Sequence, residues 1–269
     1  RLQANGITRS HVTIPLAEFQ AYLDEVDYPK TYPTYFERFS ATYVKNQKDA
    51  SLVNRKFFEQ FLSMRLTQPG PEHVTADLAA ANGPFSNIIK KRCGVRISYH
   101  QDLNAANARL HPYLGNDAIE TIACNATELP FEDGSVDYMY LLNSWEHFQA
   151  PTDLDVLREV ERCLSDGGKL VIVPLNGAKR AFVKTDPDLW DSKQVYEKGE
   201  LPLFRTSVPV HVAKCGQVYA QHHDADLLVE FAAATPALRY EVVTIELDEP
   251  AHWMKEGSWD VLIAQKTSS

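Results

Sequence analysis

Thr75 to Phe85 reads T-A-D-L-A-A-A-N-G-P-F, and this stretch decides the fold. A polar break, Gln68-Pro69-Gly70-Pro71-Glu72, precedes it. Phe85 to Arg92 follows as a helical pattern, with Ile88 and Ile89 apolar and a basic end at Lys90, Lys91 and Arg92. The order is therefore strand, small-residue turn, helix. In an open α/β sheet, a turn at the carboxyl end of the first strand brings backbone N–H groups against a ligand. The helix N-terminus adds donors and a partial positive charge. Ala79, Ala80, Ala81 and Gly83 leave a ligand room to lie on the backbone. Small residues also occur in turns that bind nothing, so a bare structural turn stands beside the binding one.

Downstream, strands and helices alternate. His73 to Leu78 is the first strand, Val95 to His100 the second, Ile119 to Ala123 the third and Val136 to Leu142 the fourth. Thr152 to Leu164 is an amphipathic helix with Leu154, Val156, Leu157, Val160 and Leu164 turned inward. Ser165-Asp166-Gly167-Gly168 stops it, and Lys169 to Pro174 is the fifth strand. Asp224 to Ala234 is a late helix, and Tyr240 to Leu247 and Trp259 to Gln265 close the chain as strands. This pattern predicts an α/β fold: a doubly wound, seven-stranded, mostly parallel sheet.

Two segments lie outside the repeat. Residues 1–70 form an N-terminal helical and aromatic appendage to a domain spanning 71–269. Pro15 to Val26 and Ser51 to Leu66 have helical rhythm, and Tyr28 to Pro33, with two prolines, breaks the helix between them. Tyr32, Tyr35, Phe36, Phe39 and Tyr43 either pack the two helices onto the sheet or form a lid lining a substrate pocket. Residues 176–221 are an inserted cap with Trp190, Tyr196, Phe204, His211 and Tyr219. Its basic residues Lys179, Arg180, Lys184 and Arg205 either meet an anionic acceptor or form a solvated surface.

Composition narrows the function classes. The 269 residues are 44% hydrophobic, enough for one large core. A net charge of −9 speaks against a nucleic-acid or anionic-membrane surface. No apolar run would span a bilayer. Cys93, Cys124, Cys163 and Cys215 are dispersed and show no zinc spacing, which fits reduced thiols in a cytoplasmic protein and no metal site. No signal peptide is visible, although the chain starts at Arg1.

Polar residues gather at the strand ends. Asp77 ends the first strand, and Asp102 follows the second, 25 residues on. An acid there is placed to accept both hydroxyls of a ribose, or else it caps the next helix, a task Asn104 also suits. Asn125 and Ala126 end the third strand, facing an adenine edge or forming an ordinary polar loop.

At these residues a resemblance appears. Residues 74–174 resemble a class I S-adenosylmethionine-dependent methyltransferase domain of Rossmann-like, methyltransferase type 11-like form. E-L-P-F-E-D-G-S-V-D-Y-M-Y (Glu128 to Tyr140) is similar to its segment leading into strand four. N-S-W-E-H-F (Asn143 to Phe148) resembles the turn after that strand. E-V-E-R-C-L-S-D-G-G-K-L-V-I-V-P (Glu159 to Pro174) resembles its helix, Gly-Gly turn and strand five. D-L-A-A-A-N-G-P-F resembles a bacterial subgroup associated with polysaccharide or lipopolysaccharide loci.

The resemblance implies S-adenosylmethionine as cofactor. Asp77, Leu78, Ala79, Ala81 and Gly83 would face its methionine end. Asp102 would bind the ribose, Leu103 would lie against the adenine, and Asn125 and Ala126 would read it. Asn143 would lie near the transferring methyl. The family's turn usually reads G-x-G-x-G, whereas Ala79 and Ala81 stand at its first two glycines, and Asn125 stands where Asp is usual. A turn adapted to alanine should avoid backbone conformations that only glycine tolerates. The expected activity is methyl transfer to a small-molecule or saccharide hydroxyl, with His147 as base beside Glu146, or these two as structural residues opening a helix. The expected partner is that substrate, not nucleic acid or membrane. The reading from another class is a catalytically inactive relative serving as a binding or scaffold protein.

Overall fold

The computed structural model describes residues 2–45, 53–105, 119–192, 204–254 and 257–268. Period-two alternation builds its sheet. On β5 (Val136–Leu142), Met139 and Leu141 join one core and Tyr140 the other. On β6 (Leu164–Val173), Leu170 and Ile172 oppose Val171 and Val173 in the same way. The remaining members are β1 (Thr8–Ile14), β2 (Val74–Leu78), β3 (Ile97–Asp102), β4 (Ile119–Ala123), β10 (Leu238–Leu247) and β11 (Ser258–Lys266). Their order is β1-β10-β11-β6-β5-β2-β3-β4. Only β11 runs antiparallel to its neighbours. From β2 the chain proceeds outward to β3 and β4, then crosses back to β5 and β6. The carboxyl ends of β2 and β5 therefore flank the topological switch, where open α/β sheets hold ligands.

The sheet has eight strands rather than seven. The additional one is β1, paired with β10 from Thr8 opposite Glu241 to Ile14 opposite Leu247. Its seven residues are mostly exposed, and only Ile14 is buried. An edge strand open on both faces lacks the apolar alternation by which strands are recognised. Residues before 71 thus share the main sheet. The prolines between the first helices also act differently from expectation. Pro29 lies in the first turn of α2 (Tyr28–Thr31), and Pro33 opens α3 (Pro33–Lys45). In a first turn the missing proline N–H has no partner to lose, so Tyr28 to Pro33 starts helices instead of ending one.

Strand five starts earlier than its sequence suggests, because Gly167 and Gly168 lie inside β6 instead of ahead of it. The pairing with β5 shifts register between Val136 and Tyr138. Gly167 takes φ +80°, and a Cβ on Gly168 would come within 2.9 Å of the Asp137 carbonyl, so the bulge needs both glycines.

Two cores cover the faces. α6 (Thr152–Cys163) and α7 (Ala225–Ala234) supply Val156, Leu157, Val160 and Phe231 to one. α1 (Leu16–Val26), α4 (Asn54–Thr67) and α5 (Phe85–Cys93) supply Phe19, Phe58, Leu62 and Ile88 to the other. The N-terminal rings mostly pack. Tyr28 stacks on Phe57 at 3.8 Å. Its hydroxyl contacts that of Tyr22 at 2.7 Å and donates to Gln60 Oε1 at 2.6 Å, while Gln60 Nε2 donates to the Tyr35 hydroxyl at 3.2 Å. The side chains of Phe39 and Tyr43 lie outside the described residues. The cap carries its own sheet, ordered β8 (Val210–Val212), β7 (Phe182–Thr185), β9 (Ala220–His222). Tyr196 lies outside the described residues. Arg205 holds Asp153 of α6 through both carboxylate oxygens, at 2.7 and 2.8 Å, and also pairs with Glu230 of α7. This arginine pins the cap to the domain.

Phe58 is fully buried against Phe19, Trp253 and Trp259, at ring distances of 5.0, 5.2 and 5.5 Å. Replacing it with alanine leaves a cavity where the N-terminal helices meet the last strands. Phe58→Ala is expected to cost about 3–5 kcal/mol in equilibrium urea unfolding.

Candidate active site

The turn after β2 is built by β3. Ala79 N–H donates to the Gln101 side chain at 3.0 Å, and Ala80 N–H donates to the Gln101 carbonyl at 3.0 Å. Ala81 N–H donates to Asp102 Oδ2 at 2.8 Å, and Gly83 N–H donates to the Ala80 carbonyl at 3.0 Å. These four N–H groups are committed to the turn itself, contrary to the expectation that they would point at a ligand. His100 completes the brace. Its Nε2 donates to the Ala81 carbonyl at 2.9 Å, and its Nδ1 lies 3.1 Å from Ser86 Oγ. His100 is structural, as its place inside the strand suggests.

The brace explains the alanines. Ala79 and Ala81 both hold positive φ, 49° and 50°. The expected avoidance of glycine-type backbone is therefore overturned. The turn keeps a left-handed conformation, and hydrogen bonds from β3 to both backbone groups of Ala81 over-determine it. Gly83 has ordinary φ, and a Cβ there would approach the Ala80 carbonyl to 3.3 Å.

In front of the turn lies a cleft of about 220 Å³. One wall is Asp77, Ala79 to Gly83, Phe85, Leu142 and Asn143; the other is Tyr35, Lys56, Glu59 and Gln60 from the N-terminal helices. None of the described cap residues lines it. Asn143 ends β5 with φ 50°, anchored by its N–H on the Val173 carbonyl at 2.7 Å. The second wall was invisible to sequence reasoning. Lys56, Glu59 and Gln60 read as polar positions of an amphipathic helix, and only the packing of α4 over the β2 turn brings them inward.

Buried acids dominate the electrostatics. Asp77 is 4% exposed, and its Oδ1 has no hydrogen-bond partner. Burial first, then the nearby Asp102 charge, holds its carboxyl well above the usual range. Glu59 is also buried, with Oε1 3.5 Å from Lys56 Nζ. Burial pushes its carboxyl up to about 7, Lys56 pulls it down, and Glu146 pushes it up. Ser86 hydrogen-bonds Asp77 and pulls it down again, but Oδ1 stays without a partner, and a buried acid with a bare oxygen facing a cleft suits a positively charged ligand.

The remaining predicted site residues are spread along the sheet edge. Asp102 accepts Ala81 N–H on Oδ2 and Asn104 N–H on Oδ1, the latter at 2.8 Å, so it braces local backbone on both oxygens. Leu103 beside it is 54% exposed. Ala126 is buried, whereas Asn125 is exposed and accepts Thr127 N–H at 3.2 Å. Glu146 is buried in the 3₁₀ turn Trp145–His147, with Oε2 unpartnered. His147 is not among the cleft's walls, and its side chain is 44% exposed. Its Nδ1 donates to the Tyr219 carbonyl at 2.7 Å, and its Nε2 lies 3.9 Å from Glu146. His222 and His223 precede α7, where Asp224 caps Asp226 and Leu227. Arg205, a candidate for an anionic acceptor, is consumed by its carboxylates.

Two outcomes follow. The Ala81 methyl is exposed, whereas that of Ala79 packs on the core. Ala81→Gly is expected to stabilise by about 1 kcal/mol in denaturant titration, relieving positive φ, with Ala79→Gly near neutral. The second outcome concerns pH. Unfolded Glu59 ionises near the ordinary 4.5, and folded Glu59 near 7. The folded state therefore holds the proton more tightly, and stability falls as pH rises across that window. Glu59→Gln is expected to shallow this slope and, at pH 8, to be more stable than wild type by on the order of 2–3 kcal/mol.

Residues 76–172 match the family model described as a methyltransferase domain. No curated protein matches the chain. Among solved structures, it is similar to the Burkholderia thailandensis 1,6-didemethyltoxoflavin-N1-methyltransferase with bound 1,6-didemethyltoxoflavin and S-adenosylhomocysteine. There the identity is 16%, the TM-score 0.52, and coverage 96% of this chain and 94% of that one. It is also similar to a SAM-dependent methyltransferase from Methanosarcina mazei, at 18% identity and TM-score 0.47, covering 74% of this chain and 94% of that one. The fold is the Rossmann-like methyltransferase fold, and residues 76–172 are the part of it that matches a methyltransferase domain.

Proposed function

We propose that the protein transfers a methyl group from S-adenosylmethionine to a hydroxyl of a small molecule or saccharide. The observation that carries the reading is Asp77, a buried carboxyl with an unpartnered oxygen in the cleft. S-adenosylmethionine brings a positively charged sulfur and an ammonium group, and so supplies what that carboxyl lacks. Asp77, Leu78, Ala79, Ala81 and Gly83 hold the methionine end. Asp102, already oriented by two backbone N–H groups, keeps lone pairs for the ribose hydroxyls. Leu103 offers an exposed apolar face to the adenine, flanked by Asn125 and Ala126.

The bound cofactor supplies an activated methyl group, so the chain's own work is to bind, orient and deprotonate. Asn143 orients at the end of β5. Glu146 and His147, beyond the cleft's walls, pass the hydroxyl proton on to solvent. The Tyr219 carbonyl keeps a hydrogen on His147 Nδ1, which leaves the Nε2 lone pair on the side of Glu146. A relative without cofactor binding would need a closed or distorted turn; here the turn keeps its left-handed shape before an open cleft.

Calorimetric titration tests this reading. Wild type is expected to bind S-adenosylmethionine and S-adenosylhomocysteine, and Asp102→Ala to weaken both by roughly 1.5–3 kcal/mol. Absence of binding at millimolar cofactor would overturn it in favour of a scaffold role.

A further inference from the structure

We propose that Glu59 of α4 is the carboxylate that faces the reacting sulfur and receives the acceptor's proton. This rests on the cofactor reading above and adds a residue outside the matched domain. The strand order serves as a ruler across the cleft. Asp102 ends β3, Asp77 ends β2, and Asn143 follows β5. A cofactor with its ribose at Asp102 and its amino-acid end at Asp77 puts its reacting methyl toward β5. Glu59 shares the cleft with Leu142 and Asn143. The charge that raises the Asp77 proton affinity is Asp102, whereas the one that raises Glu59 is Glu146, in the turn after β5. Glu59 lies across the cleft from the β2 turn and from Leu142 and Asn143, and Glu146 beyond β5 bears on its charge.

A structural role alone does not account for it. Glu59 is 5% exposed, and one ammonium at 3.5 Å is poor compensation for a buried carboxylate. The groups bearing on its charge are Lys56 and Arg55 on its own helix, Tyr35 on α3, Asp77 at the end of β2 and Glu146 beyond β5. In the proposed step the acceptor O–H bond breaks and its proton goes to a Glu59 oxygen. The acceptor oxygen forms the new bond to the methyl carbon. The sulfur–methyl bond breaks, and its electron pair stays on sulfur, leaving S-adenosylhomocysteine. Glu146 and the exposed His147 then return the proton to solvent.

The test needs no acceptor, because the two cofactor forms differ at the sulfur: S-adenosylmethionine is cationic there, and S-adenosylhomocysteine is neutral. Both are titrated calorimetrically into wild type, Glu59→Gln and Glu59→Asp between pH 6 and pH 8. At pH 8, Glu59→Gln is expected to lose about tenfold in affinity for S-adenosylmethionine and less than about twofold for S-adenosylhomocysteine. Glu59→Asp should keep part of the preference. In wild type the preference should fall as pH drops from 8 to 6, a series that stands even where a variant folds poorly. Equal weakening of both forms would place Glu59 at the amino-acid end and overturn the proposal. An unchanged ratio in the variant, with a flat wild-type series, would reduce Glu59 to a partner of Lys56. Failure of wild type to bind either form would overturn the cofactor reading itself, and this inference with it.

Discussion

The hydrogen bond from Ala81 N–H to Asp102 Oδ2 is the constraint on which the site depends. It ties the turn after one strand to the end of its neighbour. Gln101 and His100 add three more bonds from the same strand to the same turn. Such bracing lets alanine occupy a left-handed conformation that would otherwise relax. It also fixes what the turn can offer. With the N–H groups of Ala79, Ala80 and Ala81 spent on β3 and that of Gly83 on Ala80, the turn meets a ligand through its shape and through the Asp77 carboxyl behind it. Asp102 has two tasks: it holds the turn through Oδ2 and the start of the next segment, at Asn104, through Oδ1.

The second wall of the cleft depends on the N-terminal segment. β1 extends the main sheet, and α1 and α4 share one core with α5, β6 and β11. Phe58 sits where these elements meet, and the next two residues, Glu59 and Gln60, face the cleft. A hydrogen-bonded chain from Tyr22 through Tyr28 and Gln60 to Tyr35 carries the same packing to the cleft's edge. The segment thus serves both alternatives raised by its aromatic content. Most of its rings pack, and Tyr35 packs while lining the cleft.

The sequence made the central sheet legible because its middle strands β2, β5 and β6 are largely buried and its strands are bounded by strong punctuation. Ile119–Ala123 and Val136–Leu142 coincide with their expected bounds. β1 was not legible, since an exposed edge strand carries no apolar rhythm. The Pro-rich link was misread because proline ends a helix only from its interior. The turn's location was legible from D-L-A-A-A-N-G-P-F, but its conformation was not. Alanine on its own argues against positive φ, and the opposing hydrogen bonds come from residues some twenty positions away. The acid and lysine on α4 were silent for a related reason: their orientation is set by long-range packing.

The cleft also shows how a protein of net charge −9 can keep several carboxyls near one another. Asp77 and Glu59 line the cleft from its two walls, Asp102 ends β3 beside the turn, and Glu146 lies in the 3₁₀ turn after β5. Burial raises the proton affinity of Asp77 and Glu59 before any charge is counted. Protonation lets the free protein avoid burying several like charges together. A cation entering the cleft reverses that balance, because a neighbouring positive charge favours the ionised acid. The same burial that costs folding stability above neutral pH therefore leaves two carboxyls whose ionisation a positive charge in the cleft would favour, and an amide at either position would remove the cost and the charge together.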